Sequence, residues 1–343
     1  MCGKQSSFQG AHLMSTIFRN FSYKPLRFLL PLALSAITVT TYSHSAYAAD
    51  QWYTGSLVSP SGPLSKQGMF LLEPYMYYSV PSGMIGPHNN NVPMSSPRQQ
   101  SVTSFTIYRY ALTDYLSIQT TPAISYRWKH GDTTSSGLKI GDVPVDLMWR
   151  YLTADPKRFI PTLNLITGVS FPTGDYSHLG RAQDGVGSGV YTYRATLTEQ
   201  STYTMPNNHE LRLRLWATFR RALNSAHLRD VTSYGTTRGF RGHGQPGMYG
   251  EAGFSLEYGI TQRWVFAIDV ARDWANGSRL KGHYASGLKV DELSTGSGDW
   301  QVAPALEYNW TPNYGVIAGV SVYYAGHNTS RVVSPQFAFN ALY

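Results

Sequence analysis

The sequence predicts an all-β fold, a transmembrane antiparallel β-barrel of about twelve strands with short periplasmic turns and long extracellular loops. Three observations predict it. The final segment, Arg331 to Tyr343, alternates with period two, setting Val333, Pro335, Phe337, Phe339, Ala341 and Tyr343 against Ser334, Gln336, Ala338 and Asn340. Such alternation suits a strand with one face in lipid and the other toward a watery lumen. Similar segments recur along the chain, which shows no helical apolar period of useful length. The connections between them alternate short and long, the asymmetry of an outer-membrane barrel.

At the N-terminus, Lys24 and Arg27 precede an apolar run, Phe28 to Val39, followed by Ala46-Tyr47-Ala48. This is the pattern of a secretory signal peptide, and the run falls short of the ~20 residues a spanning helix needs. Residues 1–48 are therefore expected to be a signal peptide with an N-terminal extension up to a second start at Met14. Residues 49–65 are expected to form a periplasmic segment, and 66–343 the barrel.

Residues 1–48 hold Lys4, Arg19, Lys24 and Arg27 and no acid, so the 28 basic residues of the 343-residue chain become 24 against 20 acidic ones, and the net charge falls from +8 to +4. That bias is too small to suggest nucleic acid. The single cysteine, Cys2, leaves with the same segment. Disulfides and thiolate metal sites are thereby excluded. No cofactor is expected.

In order, strands are predicted at Phe70 to Tyr78, Val102 to Tyr110, Leu116 to Trp128, Asp142 to Tyr151, Pro161 to Phe171, Gly189 to Glu199, Leu211 to Arg220, Met248 to Tyr258, Trp264 to Trp274, Trp300 to Tyr308, Tyr314 to Tyr324 and Arg331 to Tyr343. The third is the cleanest, setting Leu116, Ile118, Thr120, Pro122, Ile124, Tyr126 and Trp128 against Ser117, Gln119, Thr121, Ala123, Ser125 and Arg127. In the first two, Glu73 and Arg109 either point inward with Leu71, Tyr75, Tyr77, Phe105 and Ile107, or the register is reversed and that patch meets lipid. The twelfth ends on an aromatic residue. This resembles the signal by which outer-membrane proteins are recognised for assembly, so Phe337, Phe339 and Tyr343 are its candidate residues and the barrel assembly machinery the expected partner.

Short turns are expected at Ala111 to Asp114, Gly259 to Gln262 and Asn309 to Pro312, each after a tyrosine. Long polar connections are expected at 79–99, 129–138, 172–188, 223–247 and 275–298. Tyr110, Tyr258, Trp264, Tyr308, Trp310, Tyr314 and Tyr343 fall near the periplasmic strand ends, and Trp128, Trp274, Trp300 and Tyr324 near the outer ones. Aromatic girdles sit at those two levels. The basic outer loops would lie among lipid and lipopolysaccharide phosphates.

Tyr110-Ala111-Leu112-Thr113-Asp114-Tyr115-Leu116, Gly141-Asp142 ahead of Arg150-Tyr151-Leu152, and above all Gly168-Val169-Ser170-Phe171-Pro172-Thr173-Gly174-Asp175-Tyr176 carry a further signal. They resemble motifs of the outer-membrane transporter-like family named after the meta-cleavage pathway of phenol degradation. Pro172, Thr173, Gly174 and Asp175 are the residues similar to its strand-to-loop signature. The resemblance implies a porin-like barrel. Ala111 departs from the family's preferred glycine, and the 223–247 loop is unusually long and basic.

With polar faces inward, Arg127, Arg150, Arg194, Arg212, Arg214 and Arg220 line one arc of the lumen, and Glu251, Glu257, Asp269, Asp273 and Glu307 the next. A transverse field across a constriction follows, unless the charges pair between neighbouring strands and fill the lumen. Arg212 and Arg214 share a face and repel, which makes them the candidates to meet a ligand. The expected function is passive passage of small anionic, aromatic or amphipathic solutes across the bacterial outer membrane. A surface-display or adhesion barrel with a plugged lumen is the alternative, and an outer-membrane hydrolase a lesser one. His130, Asp132, Ser135 and Ser136 share one loop and His227, Asp230 and His243 another, without the spacing of a triad. Two histidines sixteen residues apart are not expected to bind a metal.

Overall fold

The computed structural model describes residues 51–93, 99–129, 133–155 and 158–343. The predicted signal peptide and extension, with Met14 and Ala49, lie outside the described residues, as do His130 and Asp132.

Twelve strands close into an antiparallel barrel. They are β1 (Phe70–Ile85), β2 (Gln99–Ala111), β3 (Leu116–Thr120 and Ala123–Lys129), β4 (Val143–Leu152), β5 (Thr162–Phe171), β6 (Thr192–Thr204), β7 (Glu210–Ala222), β8 (Tyr249–Gly259), β9 (Trp264–Ala275), β10 (Ser297–Asn309), β11 (Tyr314–His327) and β12 (Thr329–Leu342). Each pairs with the next in sequence, and β12 pairs with β1 from Leu71↔Leu342 to Ile85↔Thr329. No barrel strand is left with an open edge, which lipid would not tolerate.

Alternation sets the two faces. In β4, Leu147 is 47% exposed and Trp149 52%, while Met148 between them is fully buried. In β12, Phe337 and Phe339 face outward while Ser334 and Ala338 are buried. The same parity turns Glu73, Tyr75, Ile107 and Arg109 inward, which resolves the register of β1 and β2 in favour of the lumen-facing patch. The third strand, predicted as continuous, is interrupted at Thr121-Pro122. Proline cannot donate to a ladder, and its carbonyl instead accepts from Thr106 N. The sixth runs to Thr204, five residues past the predicted end.

The short turns share a device the motif alone did not reveal. Thr113 Oγ1 accepts from the amides of Tyr115 and Leu116, Thr261 Oγ1 from those of Arg263 and Trp264, and Thr311 Oγ1 from those of Asn313 and Tyr314. A threonine side chain thus takes up the amides that a tight turn leaves without partners. Aromatic rings gather at this end: Trp264 lies 4.7 Å from Tyr308, and Tyr314 6.0 Å from Tyr343.

Tyr343 closes the barrel, exchanging backbone hydrogen bonds with Phe70 at 2.8 and 2.9 Å and placing its ring 6.5 Å from that of Phe70. Deleting it removes this seam contact together with the candidate recognition residue. The expected result is loss of heat-modifiable, membrane-inserted barrel in cell fractions; normal levels of folded barrel would contradict it.

Two long connections are not plain loops. Ala226–Arg229, Phe240–Gln245, Arg279–Tyr284 and Lys289–Leu293 form a separate four-stranded antiparallel sheet beyond the outer rim. One face packs Leu228 and Phe240 on Val190 and Ala222, with Tyr176, Tyr234 and Tyr284 around them. Burial raises the Tyr234 phenol above its ordinary range.

Candidate functional site: the lumen

Residues 51–65, expected to lie in the periplasm, are bound to the inner wall. The amides of Thr54 and Gly55 donate to Glu307 at 2.7 and 3.2 Å, and those of Leu57 and Val58 to Asp269 at 3.1 and 3.2 Å. Asn309 Nδ2 donates to the carbonyl of Trp52 at 3.2 Å. Further along, Arg109 Nη1 donates to Ser61 Oγ at 3.0 Å and to the Gly62 carbonyl at 2.7 Å. Arg150 Nη2 reaches the Pro63 carbonyl at 2.7 Å, and Leu64 N donates to Ser117 Oγ at 3.0 Å. In a ring of twelve, β9 and β10 stand opposite β3 and β4, so the segment crosses the lumen.

The wall is shaped for it. Leu57 packs with Ala267, Ala303, Ala305, Ile317 and Ala338, and Val58, Phe105 and Ile107 pack against the same cluster. Small inward residues on β9 to β12 leave room for a chain inside the barrel. A Cβ at Gly319 would lie 2.8 Å from both Ala305 Cβ and Leu57 Cδ1, closer than real contacts allow.

Arg212 and Arg214, expected to repel and face a ligand, both converge on Glu257. Arg212 and Glu257 stand directly opposite on β7 and β8 and form a two-pronged ion pair, while Arg214 Nε approaches Glu257 at 3.4 Å. The Arg212 guanidinium also lies 3.8 Å from the centroid of the Tyr53 ring, inside the crossing segment. One carboxylate between two guanidiniums relieves the repulsion that the sequence pattern suggested. Of the other predicted wall residues, Arg150 sits at the turn end of β4. Arg127 points up into the outer loops, donating to the Gly185 carbonyl at 2.9 Å.

Above the segment is a cavity of about 530 Å³, within the ~300–1,000 Å³ of small-molecule sites. One side is apolar and aromatic: Tyr75 and Phe105 stack at 4.5 Å, flanked by Tyr77 and Ile107. Another carries Arg194 and Arg220, directly opposite each other on β6 and β7. Arg220 lies 5.4 Å from the Tyr249 ring. Arg194 makes a two-pronged ion pair with Asp146 of β4, reaching across β5 at Gly168, the residue paired with both. A Cβ at Gly168 would collide with Asp146, which gives the first glycine of the strand-to-loop motif a steric reason. Glu251, Asp273 and Asp299 form an inward row on β8 to β10, accepting hydrogen bonds from Trp216, Gln301 and Thr329 respectively. Of the predicted arcs of charge, Arg194 and Arg220 on β6 and β7 and Glu251 on β8 line this outer cavity.

The rest of the motif is a staple. Asp142 accepts from Gly174 N at 3.0 Å and from Ser188 N at 2.8 Å, and Thr173 Oγ1 donates to the Gly141 carbonyl at 3.0 Å. The Asp175 carbonyl takes the amides of Val186 and Gly187. Together these tie the 172–191 loop to the start of β4. Ser135 and Ser136 are engaged with Gln183 and Asp184 of this loop. Asp230 lies 2.8 Å from His178; a hydrogen bond from the Gly239 amide, then His178, holds its carboxyl below the ordinary range. His227 and His243, separated by sixteen residues, are brought opposite each other by the outer hairpin, with ring centroids 4.5 Å apart. Among the described residues no third His, Cys, Asp or Glu completes a metal site with them.

No family model matches the chain, and no curated protein matches it significantly. Solved structures do. An outer-membrane channel from Pseudomonas putida F1 superposes with a TM-score of 0.60 at 13% identity, covering 83% of this chain and 100% of that one. The β domain of the Bordetella autotransporter BrkA gives 0.42 at 12% identity over 80% and 99%. The TodX monoaromatic hydrocarbon channel, in a mutant form, gives 0.41 at 10% identity over 82% and 92%. The chain is thus similar in fold to the Pseudomonas outer-membrane channel, and its closed barrel with an apolar, aromatic outward face is the architecture of the bacterial outer membrane. The phenol-pathway family name stays a resemblance of motifs.

Proposed function

We propose that the protein is a passive channel, not an enzyme, for small anionic, aromatic or amphipathic solutes. The observation that carries this reading is the outer cavity, where the stacked Tyr75 and Phe105 face a wall bearing Arg194 and Arg220. An aromatic ring suits the first surface and a carboxylate the second. Arg194 is neutralised by Asp146, so Arg220 is the cation left to meet a solute. A permanently charged guanidinium in a narrow lumen acts more strongly than on an open surface. The row of Glu251, Asp273 and Asp299 tempers it, and the selectivity is mild.

Arg220→Ser should shift the reversal potential under a salt gradient toward cation preference in planar bilayers. An unchanged reversal potential and conductance would remove Arg220 from the path. The crossing segment favours a second reading, a display barrel with a filled lumen, and that reading requires a silent bilayer.

A further inference from the structure

The outer sheet carries charge that the channel does not use. Its buried face is apolar and glycine-rich; its exposed face places Arg229, Arg241, His283 and Lys289 directly opposite one another across four strands. A second row, two residues away on the same face, runs His227, His243, Lys281 and Asp291. Like charges directly opposite on neighbouring strands destabilise a sheet. Strands lie about 4.8 Å apart, so the first row presents cationic and imidazole side chains at short, regular intervals. Asp291 is the one carboxylate in these rows, and it is engaged by Arg279 at 3.0 Å and Lys281 at 3.8 Å, while Arg229 pairs with the adjacent Asp230 at 3.3 Å and leaves Arg241 and Lys289 as the unengaged cations of the first row among the ion pairs of the described residues.

The direction of this face follows from what covers the other. The packed face shares its core with Ala222, which lies on the inward side of β7 along with Thr218 and Arg220. The apolar face is therefore on the lumen side, and the cationic face turns away from the axis, above the lipid-facing wall. Cations continue downward on that side: Arg221 is exposed at the outer end of β7, and Arg272 of β9 lies 5.3 Å from the ring of Trp300 in the outer girdle.

We propose that this face binds the phosphate groups of lipopolysaccharide in the outer leaflet. The match is one of charge and height: arginine and lysine are suited to phosphate oxygens, and the sheet begins within four residues of the end of β7, where the phosphorylated headgroups stand. Solute capture would require the cations to face the mouth, and they face away from it. The inference rests on the barrel's place in the outer membrane and is independent of whether the lumen conducts.

The test is binding of refolded full-length barrel in neutral detergent to rough-type lipopolysaccharide that retains its lipid A and inner-core phosphates. The double variant Arg241→Ser/Lys289→Ser alters two exposed side chains and should keep heat-modifiable migration while binding about tenfold more weakly or worse. Enzymatically dephosphorylated lipopolysaccharide should bind the parent equally weakly. A periplasmic control, Lys66→Ser/Arg158→Ser, should bind as the parent does. Parent-like affinity in the sheet variant, equal affinity for the dephosphorylated glycolipid, loss of binding in the control, or equally tight binding of a DNA duplex would each overturn the proposal.

Discussion

A barrel lacking residues 51–65 should pass several times more current per channel than the full chain. The segment runs from Glu307 and Asp269 on one side of the lumen to Arg109, Ser117 and Arg150 on the other. Four of its amides donate to carboxylates, and hydrogen bonds to charged groups contribute about 1.5–3 kcal/mol each. With Leu57 seated in the alanine-lined wall as well, the segment is held across the lumen by contacts on both sides. Its removal leaves the twelve-strand ladder intact, because none of the barrel pairings includes residues 51–65. Single-channel recordings of both proteins in symmetrical potassium chloride check this. Equal conductance would mean that ions bypass the segment.

The second large effect is on stability. Glu257→Ala leaves two guanidiniums side by side on β7, Arg212 at 9% and Arg214 at 5% exposure, with their shared counterion gone. Removing one partner of a buried ion pair costs about 3–5 kcal/mol, mostly because the remaining charge is buried alone. Glu257→Gln keeps an acceptor and should cost less. Denaturant titration of barrels refolded in lipid bilayers measures both. A loss below about 1 kcal/mol in the alanine variant would show a solvated pair of the surface kind.

The barrel strands were legible because lipid enforces their pattern. A residue such as Trp149 or Phe337 on the outward face has no soluble alternative, so period two survives even where the inward face is irregular. The partners of the inward charges were not legible. Arg212 and Arg214 read as a repelling pair because Glu257 lies beyond a long loop, and a one-residue shift of β8 against β7 would have pointed it at lipid. The crossing segment left no trace either, since its Thr54, Gly55, Leu57 and Val58 bind through backbone amides. The outer sheet was missed for a third reason. Its strands are short, and Gly242, Gly244 and Gly282 occupy positions of the packed face where apolar side chains would otherwise have marked the alternation. The motif from Gly168 to Asp175 was recognised as a signature, but its physical work emerged only with the register: Gly168 clears the way for Arg194 to reach Asp146, and Thr173 and Gly174 fasten the loop to Gly141 and Asp142.

As the proposed channel, the barrel has its outer cavity on the conducting path, where an aromatic ring lies against Tyr75 and Phe105 with its negative charge toward Arg220. Single-channel recording of the intact chain in potassium chloride, with benzoate or benzylammonium added to the outer chamber, tests this most directly. The predicted result is a small steady current that benzoate interrupts in a concentration-dependent manner and benzylammonium does not. A barrel that carries no current, or one blocked equally by both ions, would contradict it.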